Sequence, residues 1–319
     1  MISLDHSNIG QPDIDSVLSC LRAGQVSTAA PVVAEFEKRM AEWLGVPDCV
    51  ATNSGTAALH LALMECGVGP GDEVIIPALT YVATRNVLQY IGARPQVRDV
   101  DSETWLLLED KRYGYARIPV DLYGNVFMGK GAIFDAAESL GSKPPHDNKD
   151  MICYSFNGNK LMTTGGGGLI VGPDLDSIRA KLNPGHYDGV GYNYRMPSLN
   201  AALGLGQLER LDSFLEKKRR FNGIYRHELN KFVKFQVPMP GSEPSWWMTA
   251  CLFDRPAEIM QQILAQKSIP TRRIFEPLAD RETCPNAWHI YDQGLCLPSG
   301  TLMEDEDVLQ VCRVIRGIL

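Results

Sequence analysis

The stretch that most constrains this chain runs MICYSFNGNKLMTTGGGGLIVG, from Met151 to Gly172. Its pattern predicts a strand over 151–156, a turn carrying Lys160, a run of four glycines (165–168) and a second strand over 169–171. An ammonium set between two apolar strands is costly unless it is paired, neutralised or bonded to something. One reason to hold it there is covalent, because a desolvated amine with a lowered pKa attacks aldehydes and forms a Schiff base. The aldehyde cofactor of protein chemistry is pyridoxal phosphate (PLP), whose ring acts as an electron sink and whose pyridine nitrogen needs an acidic partner. GAIFDAAESLG supplies one 25 residues earlier, where the apolar run 132–134 ends in Asp135. The competing reading of Lys160 is a surface lysine in a turn, since Asn157-Gly158 is a good hairpin signal.

Length and composition narrow the class. The chain has 319 residues, 45% apolar and 22% charged, enough for a substantial core in two lobes. A net charge of −7 argues against non-specific nucleic-acid binding and offers no basic membrane patch. No apolar run reaches the length of a membrane span, and the N-terminus has acids and a proline where a signal peptide needs a basic start and an apolar core. The eight cysteines are scattered without CxxC spacing, which fits reduced cytosolic thiols and predicts neither disulfides nor a metal site. A cytoplasmic enzyme is the expectation.

Along the chain, helix spacing marks residues 12–23 and VVAEFEKRMAEWLG, with Gly45 as its stop. A short strand, Cys49-Val-Ala, then delivers Asn53-Ser-Gly-Thr to a helix. Free backbone N–H groups at such a helix start form an anion site, here from Ser54, Gly55 and Thr56. Plain capping by Ser54 or Thr56 explains the same residues. Tyr81 follows the strand over 73–76, where open α/β sheets place ligand contacts; it could stack on a flat cofactor or simply pack in the core. Residues 96–130 give no confident topology. One long helix from Pro197, ending in the basic run 217–220, is predicted to bridge to a smaller α+β lobe.

Each part that PLP chemistry needs is thus present: Lys160 for the aldehyde and the proton, Asp135 for the ring nitrogen, Ser54 to Thr56 with Ser155 for the phosphate, and Tyr81 for the ring face. At these residues the sequence resembles the nucleotide-sugar aminotransferases of the DegT/DnrJ/EryC1/StrS family, of PLP fold type I. The matching stretches are VAEFEKRMAEWLG, ATNSGTAALHLAL, GDEVIIPALTYVAT, IPVDLYGN, FDAAESLG, YSFNGNKLMTTGGGG, YNYRMPSLNAALGLGQLERLD and GLCLPSG. The chain is similar in particular to the branch that aminates 4-keto-6-deoxy sugars on UDP.

The resemblance implies a mostly parallel seven-stranded sheet in a large PLP-binding domain (1–215, with a bridging helix from about 197) and a small C-terminal α+β domain (216–319). It makes Lys160 and Asp135 catalytic, places Gly55, Thr56 and Ser155 at the phosphate, and stacks Tyr81 on the ring. It puts Glu138 near the ring hydroxyl, where the family often has Gln. Asn193 would reach the phosphate in a neighbouring subunit, which implies a homodimer with shared sites. His186, Tyr187 and Arg272, or Arg273 beside it, are candidate substrate contacts. The implied reaction is ping-pong transfer of an amino group from L-glutamate to C4 of a UDP-4-keto-6-deoxyhexose. The chain is shorter than its family pattern around 106–117, 125–130 and 142–151.

Three alternatives compete. A dehydratase of the same fold replaces the Schiff-base lysine with histidine, and Lys160 argues against it. A non-catalytic, PLP-binding or sugar-sensing homologue would be favoured by loss of Lys160 or Asp135, both of which are retained. A nicotinamide-dependent dehydrogenase lacks its GxGxxG after the first strand.

Overall fold

A computed structural model of the protein describes residues 2–108, 116–182 and 190–319. Seven short strands build the first sheet: β1 (Val50–Thr52), β2 (Glu73–Pro77), β3 (Arg94–Arg98), β4 (Ala116–Arg117), β5 (Ile133–Asp135), β6 (Met151–Ser155) and β7 (Gly168–Val171). They form two ribbons, β3-β2-β4 and β1-β7-β6-β5. The chain after β4 joins them: Ile118 N–H donates to the Ile75 carbonyl (2.9 Å), and Val120 bridges Asp135 in parallel. The order is therefore β3-β2-β4-β5-β6-β7-β1. Of these strands, β7 alone runs antiparallel to its neighbours. The mostly parallel seven-stranded sheet expected from the sequence is present among the described residues.

Helices cover this sheet: α1 (Gln11–Arg22), α2 (Pro31–Leu44), α3 (Gly55–Glu65), α4 (Ala83–Tyr90) and α5 (Leu175–Lys181). The α2 stop falls at Gly45, in the left-handed conformation that glycine adopts without steric cost (φ 70°). Helix α3 is buried all round from Ala57 to Leu63, and it packs on β6, β7 and β5. A helix with apolar residues on every side belongs inside, which explains why GTAALHLALME has almost no polar face.

The sequence predicts one long helix from Pro197, and here the structure differs. The chain makes two helices, α6 (Ser198–Leu208) and α7 (Leu211–Leu229), broken at Glu209 and Arg210. Arg210 stays in the right-handed region but departs from regular helix angles (φ −114°, ψ −2°). Its guanidinium donates to the buried Asp13 carboxylate (2.9 Å) and to the Asn8 carbonyl (3.1 Å). That charge-assisted tie to the N-terminal segment turns the chain where apolar periodicity alone continues it. Beyond α7 lies a second, antiparallel sheet with order β10-β11-β9-β8, built from β8 (Lys234–Phe235), β9 (Thr249–Leu252), β10 (Arg272–Arg273) and β11 (Gly294–Leu297). Helices α8 (Ala257–Gln266), α9 (Pro285–Gln293) and α10 (Asp305–Ile318) accompany it. Phe221, Leu264, Leu295 and Val311 belong to its own apolar cluster.

Candidate active site

Because most strands of the first sheet run the same way, their C-terminal ends open on one side, and the segments that follow them converge there. β1 delivers Asn53 to Thr56, β2 leads to Thr80 and Tyr81, β5 ends in Asp135, and β6 ends in Ser155. All of these line one cavity of about 410 Å³, together with Lys160, Glu138, Trp247, Arg272 and Phe275. That is the size of a small-molecule site. A larger cavity of about 630 Å³, between α2, α7 and residues 141–145, shares none of these residues.

At one end of the cavity lies the start of α3. Ser54 caps the helix, its hydroxyl accepting from Ala57 N–H at 3.1 Å, so the capping reading holds for that residue. The N–H groups of Gly55 and Thr56 belong to the first turn, where no intrahelical carbonyl can reach them. The glycine run explains how closely β7 passes beneath. A methyl group at Gly168 would lie 2.5 Å from the Ser54 carbonyl oxygen and 2.7 Å from the Gly55 nitrogen. One at Gly55 would meet the Ser155 side chain at 2.9 Å. Backbone donors, a serine hydroxyl and a helix start are thereby brought together without side chains filling the space, which suits a phosphate.

Asp135 is buried, and burial pushes its carboxyl up to about 6, against the Thr84 hydroxyl and the Ala137 N–H that favour its ionised form. Thr84 donates to it at 2.7 Å and Ala137 N–H at 3.2 Å. Lys160 lies on the segment joining β6 to β7, which spans residues 156–167 and is no tight Asn-Gly hairpin. Its side chain is only 13% exposed, which decides against the surface-lysine reading. The amine meets the Glu138 carboxylate at 3.2 Å and lies 3.9 Å from the centre of the Trp247 ring. Glu138 is held in turn by the Tyr123 N–H (2.8 Å). The lysine, a buried acid and an anion cradle therefore share one cavity, and this donor set fits PLP.

The opposite side is aromatic and cationic. The Arg272 guanidinium carbon lies 4.9 Å from the Trp247 ring centre and 5.4 Å from that of Phe275. Among the described residues, one buried terminal nitrogen of Arg272 has no hydrogen-bond partner, while the other is 3.8 Å from Asp5. Arg273, its neighbour in β10, turns away to the Tyr291 carbonyl (3.0 Å) and ring, as alternate strand residues must. The choice the sequence left open thus falls on Arg272 as the cavity residue.

Other sequence-derived candidates fall differently. Tyr81 is 59% exposed at the cavity mouth, tilted against Phe275 at 6.0 Å, so it is not a core residue. Asn193 is exposed and outside the cavity lining; its carbonyl accepts from the Asn53 side chain (3.2 Å). His186 and Tyr187 lie outside the described residues. Sequence reasoning did not find Thr84 or Phe275. Thr84 had a signal, since Thr80 and Thr84 sit one turn apart beside Tyr81, and their hydroxyls meet at 2.7 Å. Phe275 had none.

Comparison with known proteins agrees with this geometry. The model of the DegT/DnrJ/EryC1/StrS aminotransferase family matches residues 7–127 and 129–316. The chain is 34% identical to a GDP-perosamine synthase of Caulobacter vibrioides, over 87% of this chain and 86% of that protein. It is also 34% identical to a GDP-perosamine synthase of Escherichia coli O157:H7, over 94% and 93%. Among solved structures, the sugar aminotransferase CalS13 from Micromonospora echinospora superposes with a TM-score of 0.90 over 99% of this chain and 100% of that one, at 24% identity. That likeness is one of fold. A cavity built for PLP, a family match along nearly the whole chain and relatives at a third identity converge: the chain belongs to the DegT/DnrJ/EryC1/StrS aminotransferase family and is a PLP-dependent sugar aminotransferase.

Proposed function

We propose that the protein moves an amino group from L-glutamate to C4 of a nucleotide-linked 4-keto-6-deoxyhexose. What carries the reading is the single cavity in which Lys160, Asp135 and the start of α3 meet. Gly55 and Thr56 bind the cofactor phosphate through backbone N–H groups, with the hydroxyl of Ser155 beside them. Asp135 faces the ring nitrogen, Glu138 the ring hydroxyl, and Tyr81 covers the ring at the mouth. The cofactor supplies an electron sink for the substrate carbon when bound. The Lys160 amine moves the proton between the substrate carbon and the cofactor, as a positioned general base must. Glu138 holds that amine, and Arg272 offers its unpartnered nitrogen to the donor carboxylate or to the sugar diphosphate.

The nucleotide divides two readings. The sequence pattern favours UDP, whereas the relatives carrying the name GDP-perosamine synthase favour GDP, and we take GDP as the first acceptor to assay. The protein works as a homodimer in which Asn193 completes the neighbouring site; its exposure outside its own cavity supports that role. Residues 1–215 form the cofactor lobe and 216–319 the small lobe, a division supported by the second apolar cluster. Seven of the eight cysteines are buried and all eight are free thiols, which supports a cytoplasmic setting.

The test is the visible absorption spectrum of the protein with PLP, before and after L-glutamate, for wild type and Lys160→Ala. Wild type gains a lysine-dependent band that glutamate removes, and the variant gains none. Acceptor assays with GDP- and UDP-linked 4-keto-6-deoxyhexoses then follow. A wild-type band that ignores glutamate overturns the donor, and turnover of the UDP sugar alone overturns the guanosine reading.

A further inference from the structure

A second lysine is buried behind the site. Lys218, on α7, is 3% exposed, and its amine donates to the Trp247 carbonyl (2.7 Å) and to the Ser299 hydroxyl (3.2 Å). A buried ammonium without a contacting carboxylate is an expensive element, and Met or Leu would fill the same volume at lower cost. Its main partner is the residue on whose ring Lys160 rests.

Trp247 is held at both ends. Its indole N–H donates to the Asn159 carbonyl at 2.8 Å, one residue before Lys160. Its ring meets the amine of Lys160 and the guanidinium of Arg272. The preceding residue, Trp246, is in the left-handed region (φ 53°), which a bulky side chain adopts only when its surroundings impose it. The Gly124 turn confines this backbone from one side: a methyl group at Gly124 would lie 2.7 Å from the Trp246 nitrogen and 3.1 Å from that of Trp247. Lys218 grips it from the other.

We propose that Lys218 is a positioning residue of this site: by holding the Trp247 backbone it fixes the indole against which the Lys160 amine is set. The inference rests on the reading of Lys160 as the cofactor lysine. Burial pushes the Lys218 amine down to about 7. Of the titratable and charged groups that face it, Asp5 of the N-terminal segment raises it and Arg272 of β10 lowers it, while the Cys296 thiol of β11, pushed up to about 11 by burial, is neutral there. The grip on the Trp247 carbonyl therefore weakens as the ammonium deprotonates near neutrality, because a charged donor bonds a carbonyl more strongly than a neutral one.

The experiment is a cycle of Lys218→Met, Trp247→Phe and the double variant. In the protein without cofactor, tryptophan emission of wild type titrates near pH 7, and the change is absent from both single variants. With PLP added, the pH midpoint of the bound cofactor's visible band moves by about half a pH unit in Lys218→Met, and PLP binds about five- to tenfold more weakly. The double variant shows no more than the larger single effect. The proposal is overturned if Lys218→Met lowers only the melting temperature, leaving midpoint and affinity at wild-type values. It is equally overturned if the two single effects add. Should the methionine variant not fold, Lys218→Gln, which keeps a donor but no charge, is read in the same cycle. A wild type that forms no PLP band defeats the reading of Lys160, while the cofactor-free emission titration still decides whether Lys218 controls Trp247.

Discussion

The two walls of the cavity are made by different means. The first consists of Gly55, Thr56, Asp135, Ser155 and Lys160, each at the end of a strand of the first sheet or one turn beyond it. Its anion end is backbone, at Gly55 and Thr56, with a fit set by distances that a single methyl group would violate, while Asp135, Ser155 and Lys160 present side chains fixed by the strand ends that carry them. The second consists of Trp247, Arg272 and Phe275, brought in from the region of the second sheet. It works through side chains, the Arg272 guanidinium carbon lying 4.9 Å from the Trp247 ring centre and 5.4 Å from that of Phe275, where rotamers can readjust. A wall fixed by strand ends and backbone suits a ligand that never changes, and a wall of mobile side chains suits one that varies. On the proposed function, cofactor chemistry and sugar choice are separable, and substitutions should separate them.

The largest effect belongs to the first wall. Lys160→Ala removes the amine proposed to carry the proton and should lower kcat by about 10²–10⁴-fold, with the fold intact by circular dichroism. Asp135→Asn keeps the shape and the Thr84 contact but removes the charge proposed to face the ring nitrogen. It should lower kcat within the same range while PLP still binds. If Asp135→Asn were to retain wild-type turnover, the first wall would not be the chemical one.

Next in size is Gly168→Ala. The added methyl meets backbone atoms of Ser54 and Gly55, which cannot swing aside as a side chain would. Overpacking of this kind costs about 1–3 kcal/mol. If the strain falls on the anion cradle, PLP affinity should drop by about ten- to a hundredfold, measured by titration of the visible band. Unaltered affinity with lower melting temperature would show the glycine to serve strand packing alone.

Much of the first wall was legible in the sequence because its signals are local. An apolar run ending in an acid, a strand followed by Asn-Ser-Gly-Thr, and a lysine before four glycines each announce themselves within a few residues. The second wall was less legible: the Trp246-Trp247 pair can be read from sequence as a substrate cover or as lobe packing, and Phe275 has no local signal, so both acquire meaning only when the second sheet docks. Arg272 was found by family resemblance and Arg273 excluded by strand alternation, which needs β10 in place. The break at Arg210 escaped for the same reason: its partner Asp13 lies 197 residues earlier in the chain, and apolar periodicity contains no information about an ion pair distant in sequence.

On the second wall, Arg272→Lys should raise KM for the acceptor or donor about tenfold, because an ammonium cannot reproduce the planar fork of the guanidinium. The PLP band should be unchanged, in contrast to Gly168→Ala. Arg273→Lys, pointing away at Tyr291, should leave both KM values near wild type. Steady-state kinetics with both substrates varied checks the pair. A lost cofactor band in Arg272→Lys would show that the two walls are not separable after all.

The smallest effect lies outside both walls, in the segment between β5 and β6. His146 meets the fully buried Asp121 at 2.7 Å, and Asp121 also accepts from the Ser139 hydroxyl and the Phe127 N–H. Burial alone would push this imidazole down, but Asp121, with Asp150 adding to it, outweighs burial and holds it above its usual value. The folded protein therefore binds the His146 proton more tightly than the unfolded chain does. The resulting stabilisation is complete below about pH 6.5 and is lost as pH rises through the raised folded value. Asp121 bonds the carbonyl of Asp135 through its own N–H (3.0 Å), so this clamp sits one strand away from the first wall. His146→Gln should cost about 1–2 kcal/mol at pH 6, roughly 2–5 °C in melting temperature, and less at pH 8. PLP affinity should stay within about twofold at either pH, since the clamp supports the strand and does not touch the cavity. A pH-independent loss of stability would show that His146 contributes by stacking on Phe134, whose ring lies 3.9 Å away, and not through its proton.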